Sequence, residues 1–250
     1  MRHVFLGLGL IICFLGGNAQ IVNVESKRLK SDTTGWLGSI GTSFQLENSA
    51  VKVININAEA HLEYKAQRSL YLFLANYNLL KGEGKTLQNN LFYHLRYNYK
   101  LNYLLRWEAF TQMQQNNLAG IKSRFLIGTG PRFKISGTEK LALYASTAIM
   151  YENEHELTKP VIIHKDLRSS NYVSMTWKPK ENLDLVSTLF YQPLYKDLSD
   201  FRVLHELSLN FKFTQNFSFV TSWNYLYDSE PAVDIPREIF TLKNGVRYTF

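Results

Sequence analysis

The amino-acid sequence predicts an all-β protein, a transmembrane antiparallel up-and-down β-barrel of about 12 strands. Three observations carry this prediction. Apolar and polar residues alternate from Trp36 onwards, the connections between the alternating segments are short and long in turn, and the chain ends on an aromatic residue, Phe250. A barrel explains these observations. Successive side chains of its strands point alternately to lipid and lumen, and its connections are short at one end and long at the other.

The N-terminal 19 residues have the composition of a cleaved signal peptide. A basic start and an apolar core precede Gly17-Asn18-Ala19, whose small residues are typical of a cleavage site. The single cysteine of the sequence, Cys13, lies in that core, so the mature chain is expected to have no disulfide or thiolate chemistry. Residues 20–33 are polar and are expected to form a periplasmic lead-in to a barrel over residues 34–250.

The alternating part of the chain divides into about twelve segments of roughly 10–14 residues, which is the length a tilted strand needs to cross a bilayer. Within each segment the apolar residues share one face, and charged residues are concentrated on the other face. A charged side chain that faces lipid near the bilayer midplane costs about 2–4 kcal/mol. The apolar faces are therefore expected to point outward, which favours a barrel over a soluble β-sandwich.

The connections are predicted to alternate in length. Short turns are expected near residues 65–68, 99–102, 136–140, 178–182 and 214–216, and longer links near 81–90, 114–120, 153–166, 195–200 and 228–237. Outer-membrane barrels have short periplasmic turns and longer external loops. The pattern predicts an integral protein of the bacterial outer membrane with both termini on the periplasmic side.

The last eight residues contain Gly245, Tyr248 and Phe250, arranged like the C-terminal sequence that the barrel-assembly machinery reads. We expect these three residues to act as an assembly signal, with that machinery and outer-membrane lipid as partners. The same strand is expected to pair with the first strand, around Trp36, and so to close the barrel.

The residues between the outward apolar positions are expected to face the lumen, where basic side chains outnumber acidic ones. The expected basic cluster is Arg96, Arg106, Arg124, Arg132, Arg168, Arg202 and Lys212, with Glu108 and Glu206 as acidic partners. Such a cluster has two interpretations. A ring of positive charge would attract and pass small anionic solutes, whereas a network of ion pairs would fill the lumen and hold the strands in register.

The register of one hairpin bears on this cluster. A turn near residues 99–102 is expected to place Arg96 opposite Arg106, and His94 opposite Glu108, because side chains two residues apart share a face.

Two groups of residues could carry other chemistry. His205 lies on an otherwise apolar face, where a lipid-modifying enzyme would place a serine and a carboxylate or amide partner beside it. Ser169 and Asn171 share its face but are expected on a strand two removed from His205. The link over residues 153–166 holds His155 among the carboxylates Glu152, Glu154 and Glu156, but no ligand spacing there is diagnostic of a metal. No catalytic residue, metal, cofactor or nucleic-acid partner is expected.

The chain resembles a family of outer-membrane barrels known as salt-induced outer-membrane proteins and as a domain of unknown function. The resemblance runs from about Trp36 to Phe250 and is carried by the segments at residues 117–124, 128–131, 191–193, 200–202 and 227–231. It implies the barrel fold and brings no catalytic residues with it. The favoured function is a narrow anion-preferring pore or a structural envelope component, and a lipid-modifying enzyme or a surface-binding module is the alternative.

Overall fold

The computed structural model describes residues 34–49, 52–214 and 217–248, which form twelve strands. The strands are β1 (Gly35–Asn48), β2 (Lys52–Lys65), β3 (Ser69–Gly82), β4 (Lys85–Lys100), β5 (Leu105–Asn116), β6 (Ile121–Gly137), β7 (Leu141–Glu156), β8 (Ile163–Lys180), β9 (Leu183–Pro193), β10 (Phe201–Lys212), β11 (Phe217–Asp228) and β12 (Glu238–Tyr248). They form one sheet in chain order, and every neighbouring pair is antiparallel. The predicted all-β, up-and-down fold is confirmed.

The sheet curls around an interior. Tyr172 on β8 donates a hydrogen bond to Glu108 on β5, and Arg202 on β10 pairs with Glu152 on β7, so inward side chains of strands three apart meet. Within the described ranges, β1 and β12 share no ladder, so the predicted pairing of the last strand with the first is not formed there. The predicted signal peptide, the lead-in and Phe250 lie outside the described residues.

The two faces of the sheet have the inverted polarity that the alternation predicts. On the outer face, the side chain of Ile149 is 57% exposed, and Trp36, Ile40 and Phe44 are also exposed. On the inner face, Arg132 is only 2% exposed. This arrangement suits apolar surroundings outside and a polar packed interior.

Outward aromatic rings form a row at each end of the sheet. The row at the end that carries the β2–β3 and β4–β5 turns, called here the short-turn end, is Trp36, Tyr64, Tyr71 and Tyr97, with neighbouring ring centroids 4.9, 6.2 and 4.9 Å apart. The row at the opposite end, called the long-link end, is Tyr191, Phe201 and Tyr227, with neighbouring centroids 5.7 and 5.6 Å apart. Rings in such rows are typical of the two interfaces of a membrane.

Two of the expected long links are shorter than predicted. Glu83 and Gly84 alone connect β3 to β4, because both adopt positive φ (52° and 75°) and so suit a tight hairpin turn. The link after β7 is confined to residues 157–162, since β7 continues to Glu156. Polar residues that face an interior continue a strand as well as apolar ones do, and this moved the strand ends beyond the predicted limits.

The β4–β5 hairpin has a different register from the one expected. The predicted pairs Arg96–Arg106 and His94–Glu108 are replaced by Arg96–Phe110, His94–Gln112 and Asn98–Glu108. The chain reverses later than predicted because the Asn102 side-chain oxygen accepts hydrogen bonds from the backbone amides of Leu104 and Leu105, at 2.9 and 2.8 Å.

Helical structure among the described residues is the single 3-10 turn Asn117–Ala119, whose N-cap is Asn116. Within the described ranges, no helix is long and apolar enough to cross a membrane.

Candidate functional site

Arg202 is the centre of a group of charges inside the sheet near the long-link end. Its Nη1 donates to both carboxylate oxygens of Glu152, at 2.7 and 2.9 Å, and its Nη2 donates to Glu154 Oε2 at 3.2 Å. Its Nε donates to Asp228 Oδ2 at 2.7 Å. One guanidinium therefore ties β10 to β7 and β11 through charge-assisted hydrogen bonds, which are about twice as strong as neutral ones.

Two further arginines complete this group. Arg124 contacts Glu154 Oε2 with both Nε and Nη2 at 2.6 Å, and its Nε lies 3.8 Å from Glu152. Arg168 binds Asp200 through two parallel hydrogen bonds of 2.9 and 3.0 Å, and its Nε lies 3.6 Å from Glu152. We call these three arginines and their four carboxylates the long-link cluster.

A second cluster is centred on Glu108, closer to the short-turn end. Glu108 accepts a hydrogen bond of 3.1 Å from Arg132 Nη1 and one of 2.6 Å from the Tyr172 hydroxyl, and Arg96 Nη1 lies 3.9 Å away. The sequence predicted Glu108 as an acidic partner but not Tyr172. We call these four residues, together with Arg106, the Glu108 cluster.

Aromatic rings hold the guanidiniums of the Glu108 cluster. The Arg132 Cζ atom lies 4.1 Å from the centroid of the Tyr144 ring, and that of Arg106 lies 5.4 Å from the same centroid. Arg96 lies over Phe110 at 5.7 Å. Cation–π contacts of this kind are worth up to about 2 kcal/mol when the cation is desolvated, so the arginines are stabilised by rings as well as by carboxylates.

The expected surplus of basic over acidic side chains is not found among the buried residues of the described ranges. The buried charged residues are Arg96, Arg132, Arg168 and Arg202 on the basic side, and Glu63, Glu108, Glu152, Glu154, Glu156 and Glu206 on the acidic side. The three glutamates of β7 account for the difference, because the sequence placed them in a surface link. Their own alternation with Tyr151, Asn153 and His155 continues the period of β7 and was the signal that could have placed them inside.

The remaining predicted site residues differ in their burial and in their position in the sheet. Arg106 and Arg124 are half-buried, and Lys212 is exposed at the end of β10, opposite Ser218. Glu206 is 2% exposed and lines the cavity described below. Of the predicted assembly signal, Gly245 pairs with Val220 and Tyr248 with Phe217.

A cavity of about 100 Å³ reaches both clusters. Its charged lining is Arg96, Glu108, Arg124, Arg202 and Glu206, and its apolar lining includes Phe92, Leu126, Met150, Phe190 and Leu204. Space of this size holds a few water molecules. On the β4–β10 side, inward side chains thus bound a small cavity between the two clusters.

The interior is not filled evenly. Ser39, Ser43 and Gln45 on the inner face of β1 are exposed, as are Lys243 and Gly245 on the inner face of β12. These side chains are small or flexible, whereas the inner face of β4–β10 carries packed arginines and rings. The interior therefore has two different walls. The inner face of β1 and β12, called here the thin polar wall, carries small or flexible polar side chains, and the inner face of β4–β10, called the ion-paired wall, carries packed arginines and rings.

The outward histidine lies next to a serine that the sequence did not single out. His205 Nε2 lies 3.0 Å from Ser187 Oγ, and its ring packs edge-on against Trp223 at 5.2 Å. Ser169 and Asn171 lie two strands away on β8 and bind each other, because the Asn171 side-chain oxygen accepts a hydrogen bond from Ser169 Oγ at 3.2 Å. Cross-strand neighbours decide which serine meets the histidine, and these depend on register.

The Ser187–His205 pair lies away from the aromatic row at the long-link end. Ser187 is four residues from Tyr191 of that row, or about 13 Å along the strand. The two polar groups satisfy each other in apolar surroundings, where an unpaired polar group is costly. Within the described part of the chain, no group of three or more His, Cys, Asp or Glu side chains is arranged to hold a metal ion.

These features define a class of protein: a twelve-stranded antiparallel sheet curled around an ion-paired interior, with an apolar outer face. The chain belongs to the family described as "Protein of unknown function, DUF481", which matches residues 40–250. The salt-induced name suggested by the resemblance is not part of that description. No protein in the curated set matches the chain.

Several solved structures resemble the fold at low identity. The NanC porin is 10% identical over 78% of this chain and 94% of its own, with a TM-score of 0.49. The KdgM porin is 12% identical over 86% and 99%, with a TM-score of 0.41. The translocator domain of the autotransporter NalP from Neisseria meningitidis is 9% identical over 90% and 92%, with a TM-score of 0.43. Likeness at this level transfers no function to this chain.

Proposed function

We propose that the protein is an integral outer-membrane β-barrel that forms a narrow, anion-preferring passage. The outer face supports the location, because it is apolar and is bounded by the two aromatic rows. On β11, the outward rings of Tyr227 and Phe217 are ten residues apart, or about 33 Å along the strand and about 25 Å along the normal of a membrane at the usual tilt. That height matches the apolar band of such barrels.

The orientation in this proposal follows from the links. The three longest links, at residues 157–162, 194–200 and 229–237, share the long-link end. Barrels of this class carry their longer loops outside the cell, so the long-link end faces outward and the short-turn end faces the periplasm. Gly35 and Tyr248, the outermost residues of β1 and β12, lie at the short-turn end, which supports a periplasmic position for both ends of the described sheet.

The proposed passage rests on one observation, the uneven filling of the interior. Solutes would pass between the ion-paired wall of β4–β10 and the thin polar wall of β1 and β12. Basic groups with exposed surface on these walls include Arg106, Arg124, Lys212 and Lys243. Glu47 on β1 and Glu59 on β2 are exposed carboxylates of the same inner face, so the preference for anions is expected to be modest. Positive charge in a low-dielectric wall raises the local concentration of anionic solutes.

Conductance of the purified, folded protein in planar bilayers tests this proposal. We expect unitary steps and, in a salt gradient, a reversal potential that favours anions. The double variant Arg106→Glu/Lys212→Glu should shift the preference toward cations, because both residues have exposed surface in the interior. Lys140→Glu, in the β6–β7 turn, is the matched control and should leave the preference unchanged. A protein that folds but gives no unitary steps would overturn the proposal.

A structural envelope component is the second candidate, and the bracing of the interior favours it. Arg202 with Glu152, and Tyr172 with Glu108, join strands that are three apart in the sheet. Contacts of this kind resist separation of the strands. In this case the folded protein would give no conductance, and the Arg106→Glu/Lys212→Glu variant would change stability alone.

A further inference from the structure

Two links at the long-link end meet although they start far apart. Residues 117–120 connect β5 to β6, and residues 229–237 connect β11 to β12, six strands further along the twelve-stranded sheet. A Cβ placed on Gly120 would lie 2.9 Å from Ile235 Cγ1 and 3.0 Å from the Ala232 Cβ. Links six strands apart in a curled sheet of twelve stand on opposite sides of its opening. Residues 229–237 therefore reach across the opening and touch the far rim.

The base of this link is fixed by hydrogen bonds and an ion pair. The Asp228 amide donates to Arg237 O at 2.9 Å, and the Asp228 carboxylate binds Arg202 Nε at 2.7 Å. The Ser229 amide donates to Phe201 O at 3.1 Å, and Ser229 Oγ accepts from the Phe201 amide at 2.8 Å. The link is thus anchored where it leaves the sheet, next to the long-link cluster.

The tip of the link is held differently from its base. Pro231, Ala232, Val233, Ile235 and Pro236 make it mostly apolar. It contacts Gly120, which has a φ of +68° and lacks a side chain, so the two backbones approach closely. A contact of a few methyl groups is far weaker than the charged hydrogen bonds at the base. The tip can leave its seat while the base stays in place.

The seat adjoins the cavity. Asn116, Ala119 and Ile121 flank Gly120 and also line the cavity, together with Arg124 and Arg202 of the long-link cluster. With the tip on Gly120, the link lies beside these lining residues at the long-link end. With the tip lifted, a solute from outside would reach the cavity and its arginines, Arg124 and Arg202.

We propose that residues 229–237 form a lid that closes the interior at the long-link end and regulates passage through it. The inference rests on the proposed pore. Gly120 is the seat of the lid, and Asp228 with Arg202 anchors its base. Arg124 and Arg202 are the arginines of the cavity that an anionic solute reaches when the lid opens.

A disulfide between the tip and its seat tests the lid. In the variant Gly120→Cys/Ala232→Cys, the two Cβ positions are 3.0 Å apart, against about 3.5–4.5 Å in a disulfide, so a small shift of the tip makes the bond. Chloride flux is measured from vesicles that contain the folded protein. We expect flux through the oxidised variant to be several-fold below flux through the reduced one. Each single-cysteine variant is the control and should not respond to the oxidant.

A second variant, in which residues 231–236 are replaced by a short Gly-Ser turn, separates the lid from the pore. Flux through this variant above that of the unmodified protein supports the lid. A disulfide that fails to form overturns the assignment of Gly120 as the seat. A disulfide that forms without changing the flux overturns the lid and leaves the pore intact. Absence of flux in every variant, including the shortened one, overturns the pore itself.

Discussion

At the scale of single residues, Glu152 is the group on which the long-link cluster depends. Its side chain is 1% exposed, and it lies within 4 Å of the guanidiniums of Arg202, Arg124 and Arg168. Charges removed from water are tolerated only where opposite charges and hydrogen bonds replace the lost hydration. Glu152 therefore offsets the charge of three arginines at once. Removing its charge affects all three, whereas removing one arginine leaves it two partners.

Replacing Glu152 with glutamine should destabilise the folded protein by about 3–5 kcal/mol, the cost of breaking a buried ion pair by removing one partner. The variant keeps the size of the side chain and removes its charge. The measurement is the free energy of unfolding in urea, followed by tryptophan fluorescence in lipid vesicles.

The matched control is Glu139→Gln, in the exposed β6–β7 turn, which should change the free energy of unfolding by no more than about 0.5 kcal/mol. Equal effects of the two substitutions would show that the long-link cluster contributes no net stability.

At the scale of elements, the strands are straightforward products of alternation, whereas the links depend on individual side chains. The link after β9 is an example. Asp197 Oδ1 accepts hydrogen bonds from the Ser199 hydroxyl at 2.6 Å and from the Ser199 amide at 2.9 Å. These two bonds stabilise the ionised carboxylate and lower the pKa of Asp197 below its usual value. The turn is stabilised by the negative charge of Asp197, which protonation at low pH removes.

The direction of the pH effect follows from this lowered pKa. The bonds to ionised Asp197 contribute fully above the ordinary pKa of an aspartate and are lost as the pH falls through the lowered one. Ser199→Ala removes the hydroxyl donor, so it should raise the pKa of Asp197 toward the ordinary value. Ser199→Thr keeps the donor and is the control. The measurement is a titration of the Asp197 carboxyl carbon by NMR, and an unchanged pKa in Ser199→Ala would contradict the assignment.

At the scale of the whole molecule, assembly into the membrane is a property separate from folding. The C-terminal aromatic pattern predicts that deletion of Phe250 impairs insertion into the outer membrane more than it impairs folding in detergent. Phe250→Tyr keeps an aromatic end and should behave like the unchanged protein. Fractionation of membranes and the heat-dependent shift in gel mobility measure the two properties. Equal insertion of the shortened and complete chains would defeat the prediction.

The local pattern determines which way a side chain points. Arg132 and Ile149 lie on opposite faces as their positions in the alternation predict, and the same rule accounts for the alternate buried residues of β3, β4, β7 and β8. Successive side chains of an extended chain point to opposite sides, so this information is present in any short stretch of sequence. The cost of charge in lipid then decides which face is outside.

The sequence by itself thus determined the fold class and the number of strands. The tertiary structure alone decided their partners. A register shift by an even number of residues keeps every side chain on its face, so alternation could not distinguish Arg96–Arg106 from the observed Arg96–Phe110 pair, four residues away. The meetings of Arg202 with Glu152, and of Ile235 with Gly120, join parts of the chain that only the curl of the sheet brings together.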